Sequence, residues 1–296
     1  MFDASYKLLR KHIPSSVYTK LQEEIGRKKY YYSLQHFAKI VDLYKDSLSL
    51  ENKIVVEFGP GNEIATAVLM ILNGARKVFL IDRINIFTSH YSRNDIHYVD
   101  QLKNDYLNAN YQLKDYLSVM DSNEILSRIH RVNSYLNKNA IIKIPRNSCD
   151  YVVSHEVLEH VTDVSLVFEC VKYLLKPNGY FFSKIDLSDH SYHVFSKYRF
   201  LAFLRDKYKF RHLSYSDKNW ELLNDHKNIY MNRELLPKYL YYFSKYEFDI
   251  VSLELIEHDC ECTIHRDVIS DIPEKYLQTK NIKNIEGFSF LVKSIC

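Results

Sequence analysis

Lys53-Ile-Val-Val-Glu-Phe-Gly-Pro-Gly61 decides the fold. Its first six residues form a short apolar strand of the kind buried on both faces of a sheet, and the chain then turns at once through two glycines. Ile64 to Leu72 follows as a helix, Asn73-Gly74 supplies its C-terminal stop, and Lys77 to Ile81 is a second buried strand ending at Asp82. Strand, helix and strand in this order make a βαβ unit, which implies a parallel sheet.

Working outward, the first fifty residues read as a helical N-terminal segment, with Leu34, Phe37, Ala38, Val41 and Tyr44 at helical spacing. Downstream, about 85–127 is a polar, Tyr- and Asn-rich insertion containing a helix around Val99 to Met120, and a third strand is expected at about Arg128 to Ser134. Asp150 to Ser154 is another buried strand, and Thr162-Asp163 caps a helix carrying Leu166, Cys170, Val171 and Leu174. Lys176-Pro-Asn-Gly179 reads as a turn before a strand at Tyr180 to Ile185. The β/α rhythm is lost over 187–240, a stretch read as a cap on the substrate side. Strand character returns at Glu247 to Leu255 and Phe288 to Ser294, so 241–296 completes the core sheet. The expected units are therefore 1–50, a core at 51–186, the cap at 187–240 and the terminal strands at 241–296.

Composition narrows the function. Of 296 residues, 46% are hydrophobic and 26% charged, a globular balance. The longest apolar run, Ile64 to Leu72, is well short of the ~20 residues a membrane span needs. No apolar block of signal-peptide length follows the start, and five scattered cysteines make no disulfide framework, so a cytoplasmic address is expected. A net charge of +3 does not demand nucleic acid as a partner.

A glycine turn between strand and helix lets backbone approach a ligand and points helix amides at it. Ile64 stands where a dinucleotide fingerprint has its third glycine, which weakens a nicotinamide reading. Asp82, 21 residues after Gly61, is placed to accept hydrogen bonds from the ribose hydroxyls of an adenosine ligand.

Glu57 to Gly61 with Asp82, the run Asp150-Tyr-Val-Val-Ser-His-Glu-Val-Leu-Glu-His-Val161 and Leu175-Lys-Pro-Asn-Gly179 together resemble class I S-adenosylmethionine-dependent methyltransferases, over about residues 51–186. The resemblance implies an α/β fold: a Rossmann-like, mostly parallel seven-stranded sheet with helices on both faces. It also implies S-adenosylmethionine as cofactor, held by Glu57, Gly59, Pro60, Gly61, Asn62, Asp82, Arg83, Ser154, His155 and Glu156. A narrower resemblance, carried by Glu57 to Ala67, Asp186-Leu-Ser-Asp-His190, Trp220 and Asn232-Arg233, is to methyltransferases of bacterial surface-polysaccharide clusters. It implies that the cap joins the substrate site, with Trp220, Asn232 and Arg233 against the acceptor.

Three further clusters were weighed. His155-Glu-Val-Leu-Glu-His160 lacks the i, i+4 histidine pair of a zinc protease helix, which leaves Glu159 and His160 as supports for a loop. His258, Cys260, Cys262 and His265 match no common zinc spacing, and no metal site is expected. Lys197 to His212 holds six Lys/Arg, interleaved with aromatic residues. It reads either as a solvated amphipathic helix or as a site for an anionic group, with Arg205 and Lys209 the contacts.

Asp186, Asp189 and His190 follow the strand that ends beside the methyl donor, where His190 is expected to take a hydroxyl proton or, with the two acids, to bind a metal; a turn capped by its own Asp and Ser is the structural alternative. The expected reaction is O-methylation of a sugar or other small polar acceptor, an anionic one being among those the charge of the cap suits. RNA methylation and a non-catalytic cofactor-binding scaffold are the competing readings.

Overall fold

Ile54–Phe58, here β1, has four of its five residues buried in the computed structural model, which describes residues 34–60, 64–82, 93–108, 119–133, 143–189, 211–224, 230–257 and 285–295. Such a strand is stable only at the centre of a sheet covered on both faces. β1 accordingly lies between two parallel neighbours, β2 (Lys77–Asp82) and β4 (Cys149–His155). β3 (Ile129–Asn133) extends the parallel sheet beyond β2, and β5 (Leu175–Asp186) extends it beyond β4. Two late strands, β6 (Phe248–Glu257) and β7 (Ile285–Ser294), complete a seven-stranded sheet in the order β3-β2-β1-β4-β5-β7-β6, with β7 antiparallel to both its neighbours. The edge strand β6 is less apolar, and Asp249, Val251 and Glu254 are exposed along it.

Alternation along the strands divides the core between the two faces. Val55, Val78, Leu80 and Val153 join one apolar cluster, and Val56, Phe58, Ile81 and Val152 the other. On the first face lie α1 (Leu34–Ser47), α2 (Ala65–Leu72), α3 (Arg93–Asn108) and α4 (Ser122–Ser127). Every residue of α2 is buried, because α1 covers its outer side with Ala38, Val41 and Tyr44. Asn73 and Gly74, the latter at φ 101°, end α2 as the sequence suggested.

The second face is covered by α5 (Val164–Leu174) and α7 (Leu236–Lys245). Asp163 caps α5 through a hydrogen bond from the Leu166 amide, as expected for that position. Phe168 of α5 is the hub, its ring in contact with Phe181, Tyr239, Phe243 and Phe290.

The described helix of the insertion, α3, begins at Arg93 and covers Val99 to Asn108 of the expected Val99 to Met120; 109–118 lie outside the described residues. One local expectation is corrected: Lys176-Pro-Asn-Gly179 does not precede the strand but interrupts it. Leu175 pairs with Cys149 and Tyr180 with Tyr151 across a register shift, with Asn178 left-handed at φ 62°. The bulge brings the Lys176 ammonium to 2.8 Å from the Asp150 carboxylate, which also accepts the Ile54 amide at 2.9 Å. That pairing anchors the amino-terminal edge of the sheet and gives the extra residues a role.

Between β5 and α7 lies a 3₁₀ turn at Arg211–Ser214 and the helix α6 (Asp217–Leu223), capped by Ser216. The expected cluster at His258 to His265 lies outside the described residues, as does the basic stretch apart from Arg211 and His212. No described helix is long and apolar enough to cross a membrane.

Candidate active site

The parallel strands β1, β2, β4 and β5 end along one edge of the sheet, at Phe58, Asp82, His155 and Asp186. Open α/β sheets bind ligands outside this edge. The chain leaves β1 through Gly59 at φ 67°, a conformation that side chains disfavour, and its amide donates to the Ile81 carbonyl at 2.9 Å. A Cβ on Gly59 would stand 2.5 Å from one methyl of Val157 and 2.7 Å from the other, so only glycine fits where the turn meets the loop after β4. Below the turn, the Glu57 carboxylate is buried and takes the Thr66 hydroxyl at 2.7–2.8 Å. Burial pushes its pKa up to about 7, the hydrogen bond from Thr66 opposes this, and the charge of Asp82 adds to it.

Asp82 stands at the end of β2, partly exposed, with Phe58 and Ile81 in register beside it. A glycine turn with no room for a Cβ and an acid one strand away form a cradle that fits an adenosine-bearing cofactor. Gly61, Asn62 and Arg83, expected in the same cradle, lie outside the described residues.

At the end of β4 the expected trio separates. Ser154 is fully buried and its hydroxyl meets that of Ser183 at 2.7 Å, so it bonds across the β4–β5 pair inside the sheet. His155 is half-buried, and Glu156, left-handed at φ 55°, pairs with the Lys184 ammonium at 2.9 Å. Burial raises the Glu156 pKa, but the charges of His155 and Lys184 outweigh it and hold the carboxyl below its usual range. Glu159 is 2% exposed, and among the described residues no side chain donates to its carboxylate. Burial, with the charges of Asp186 and Glu156, holds its pKa well above the carboxylate range, although its own amide and that of Asp186 pull the other way. His160 turns away, its Nδ1 2.7 Å from the Tyr230 carbonyl. Among the described residues no group of three or more His, Cys, Asp or Glu is placed to hold a metal ion.

Beyond β5, Asp186 accepts the Ser188 amide at 2.7 Å, the turn weighed above as the structural alternative. Asp189 is 1% exposed, and among the described residues His212 faces it, with Nδ1 4.0 Å from its carboxylate. His212 was missed in the sequence, where it closes a basic stretch with no neighbour that marks it. His190, Arg205 and Lys209 lie outside the described residues.

Of the three residues expected against the acceptor, Asn232 ties the cap to the core, while Trp220 and Arg233 bond within the cap. Asn232 donates to the carbonyls of Leu158 and Val161 at 2.7 and 2.9 Å, and its own amide reaches the Glu159 carbonyl. Trp220 is buried and donates to the Met231 carbonyl, which the Asn224 side chain also meets. Arg233 donates to the Tyr215 carbonyl and pairs with Asp217.

The sequence profile of the methyltransferase-domain family matches residues 32–235, more than half of the chain. The chain belongs to this family. It is a methyltransferase dependent on S-adenosylmethionine, and the cradle between β1 and β2 is the site that fits this cofactor. Among solved structures, it is similar to an S-adenosylmethionine-dependent methyltransferase from Mesorhizobium loti at 15% identity, over 88% of this chain and 100% of that one, with a TM-score of 0.48. One from Archaeoglobus fulgidus matches at 12% identity over 94% and 99%, TM-score 0.48. Geranyl diphosphate C-methyltransferase from Streptomyces coelicolor A3(2), in complex with Mg²⁺, geranyl diphosphate and S-adenosyl-L-homocysteine, matches at 9% identity over 90% and 86%, TM-score 0.47. No curated protein matches the sequence.

Proposed function

We propose that this methyltransferase methylates a hydroxyl of a sugar or another small polar acceptor, in the making of a bacterial surface polysaccharide. The observation that carries the reading is the acid-bearing end of β4 and β5, where Glu156, its carboxyl held below the usual range, lies with Asp186 and the buried Glu159. An ionised carboxylate such as that of Glu156 only accepts hydrogen bonds, so it suits the many donors of a polyol, whereas a phosphate backbone would be repelled there. This favours a sugar over RNA. Arg205 and Lys209 of the basic stretch are the groups assigned to any anionic part of the acceptor.

The bound cofactor supplies an electrophilic methyl on a sulfonium. The chain's own work is to align the acceptor oxygen with that methyl and to take the hydroxyl proton. Asp82 takes the ribose and the Gly59 turn admits the cofactor backbone-close, while the stretch after β5 faces the acceptor. Incubation with methyl-labelled S-adenosylmethionine and fractionated cell extract tests the reading. Label in the small-molecule or sugar-nucleotide fraction, unchanged by chelator, is expected; label in RNA alone would overturn it.

A further inference from the structure

We infer that the ion pair of Glu156 and Lys184 binds two neighbouring hydroxyls of the acceptor, which therefore carries a vicinal diol; the inference rests on the sugar reading above. Lys184 stands in register with His155, the last residue of β4, so its Cα is level with the ligand edge of the sheet. Glu156 is the next residue beyond that strand, and its neighbour Val157 meets the Gly59 turn of the cofactor cradle. The pair therefore lies beside the cradle on its β5 side, where an acceptor has to come to meet the methyl group.

The backbone holds the pair's geometry. Glu156 is left-handed at φ 55°, where residues other than glycine are uncommon, and its amide donates to the Lys184 carbonyl at 2.8 Å. That bond carries the β4–β5 pairing one residue past the strand, and the side chain turns back onto the ammonium of the same Lys184, 2.9 Å away. The two side chains remain accessible, Glu156 at 44% and Lys184 at 29%, so both meet solvent at this edge. A partly exposed pair adds little to stability, and a binding role explains why a strained residue is kept there.

The chemistry suits adjacent hydroxyls better than a single one. Burial and the charge of Asp186 raise the Glu156 pKa, but His155 and Lys184 outweigh them, so the carboxylate is ionised and only accepts hydrogen bonds. The Lys184 ammonium only donates. A hydroxyl does both, and two of them on neighbouring gauche carbons have their oxygens about one hydrogen-bond length apart, close to the 2.9 Å between ammonium and carboxylate. One hydroxyl can donate to Glu156 while its neighbour accepts from Lys184, and both bonds are charge-assisted. The bond within the pair uses one carboxylate oxygen and one ammonium hydrogen, which leaves an acceptor and donors for the ligand. A deoxy sugar would satisfy only one partner, and a phosphate in the same place would meet Lys184 but be repelled by Glu156.

The test uses the full chain, methyl-labelled S-adenosylmethionine and the sugar-containing extract fraction that accepts label. Glu156→Gln and Lys184→Gln should each raise the acceptor's KM by about tenfold or more, while kcat falls by less and S-adenosylmethionine affinity stays within about twofold by calorimetry. Lys184→Arg, which keeps the charge and the donors, should recover part of the acceptor's KM. A second arm needs no turnover. With S-adenosyl-L-homocysteine bound, saturation-transfer NMR with methyl glycosides of mannose, galactose and rhamnose as probe diols should show transfer to at least one with wild type, and none to it with either Gln variant. An unmoved acceptor KM in the folded Gln variants, a loss of cofactor affinity in its place, or no transfer to any glycoside with wild type would overturn the inference. If no sugar fraction takes label from wild type, the sugar reading fails, while transfer that needs Glu156 and Lys184 would still uphold the diol site.

Discussion

The two ends of the sheet's ligand edge are built differently. At the β1–β2 end, Glu57, Gly59, Thr66 and Asp82 come from one βαβ unit and lie within 26 residues, and the bond that fixes Glu57 spans nine positions. At the β4–β5 end, Asn232 reaches 74 positions to Leu158, His160 reaches 70 to Tyr230, and His212 faces Asp189. The cofactor end is a local structure that closes with the fold's first unit. The β4–β5 end, proposed to face the acceptor, is an assembly of distant segments.

Substitutions at the two ends should therefore separate in what they change. The largest effect is expected at Gly59→Ala, which forces a Cβ onto a left-handed residue and into both methyls of Val157. Backbone strain of about 1–3 kcal/mol and a similar overpacking cost should bring cofactor binding below detection. Adding Val157→Ala should restore it only in part, because the φ of 67° remains. Full restoration would place the whole cost in the clash.

The next effect concerns pH. Glu57, pushed up to about 7 from an ordinary 4.5, keeps its proton in the folded chain over a window where the unfolded chain has released it. Stability should therefore fall as pH rises from 4.5 to 7, by about 3 kcal/mol from this residue. Urea melts at pH 5 and 8 should show a flatter profile in Glu57→Gln than in wild type; equal slopes would locate the dependence elsewhere.

Asn232→Ala belongs to the other end. It leaves the Leu158 and Val161 carbonyls without a buried partner and should cost about 1–3 kcal/mol in denaturant unfolding. Cofactor affinity should stay within twofold by calorimetry, and a larger loss would mean that the two ends are coupled. The smallest effect is expected at Lys184→Gln, since its pair with Glu156 is partly exposed: less than about 1 kcal/mol, shrinking with added salt.

The same contrast explains what could be read from the sequence. KIVVEF, the glycine turn, Asn73-Gly74 and the acid at position 82 are signals within a few residues of one another, and each names an element or a ligand contact by itself. Periodicity likewise placed Ala38, Val41 and Tyr44 on the buried side of α1. From sequence the bulge at Lys176–Gly179 reads as a turn, because Pro-Asn-Gly has the same local chemistry in both; only the reach of Lys176 to Asp150 tells them apart. Trp220, Asn232 and Arg233 are tied to the acceptor by the narrower resemblance alone, and their described side-chain bonds go to backbone carbonyls and Asp217. Nothing near His212 announces Asp189. That pair exists only once the cap folds back over β5, and no short-range pattern carries such a contact.

The central claim is that the cradle between β1 and β2 holds S-adenosylmethionine through Asp82. Isothermal titration calorimetry of S-adenosylmethionine into wild type and Asp82→Ala tests it most directly. Each charge-assisted hydrogen bond lost to the ribose is worth about 1.5–3 kcal/mol, so a folded Asp82→Ala should bind at least tenfold more weakly. Equal affinity in the two proteins, with the variant shown to be folded, would contradict the account.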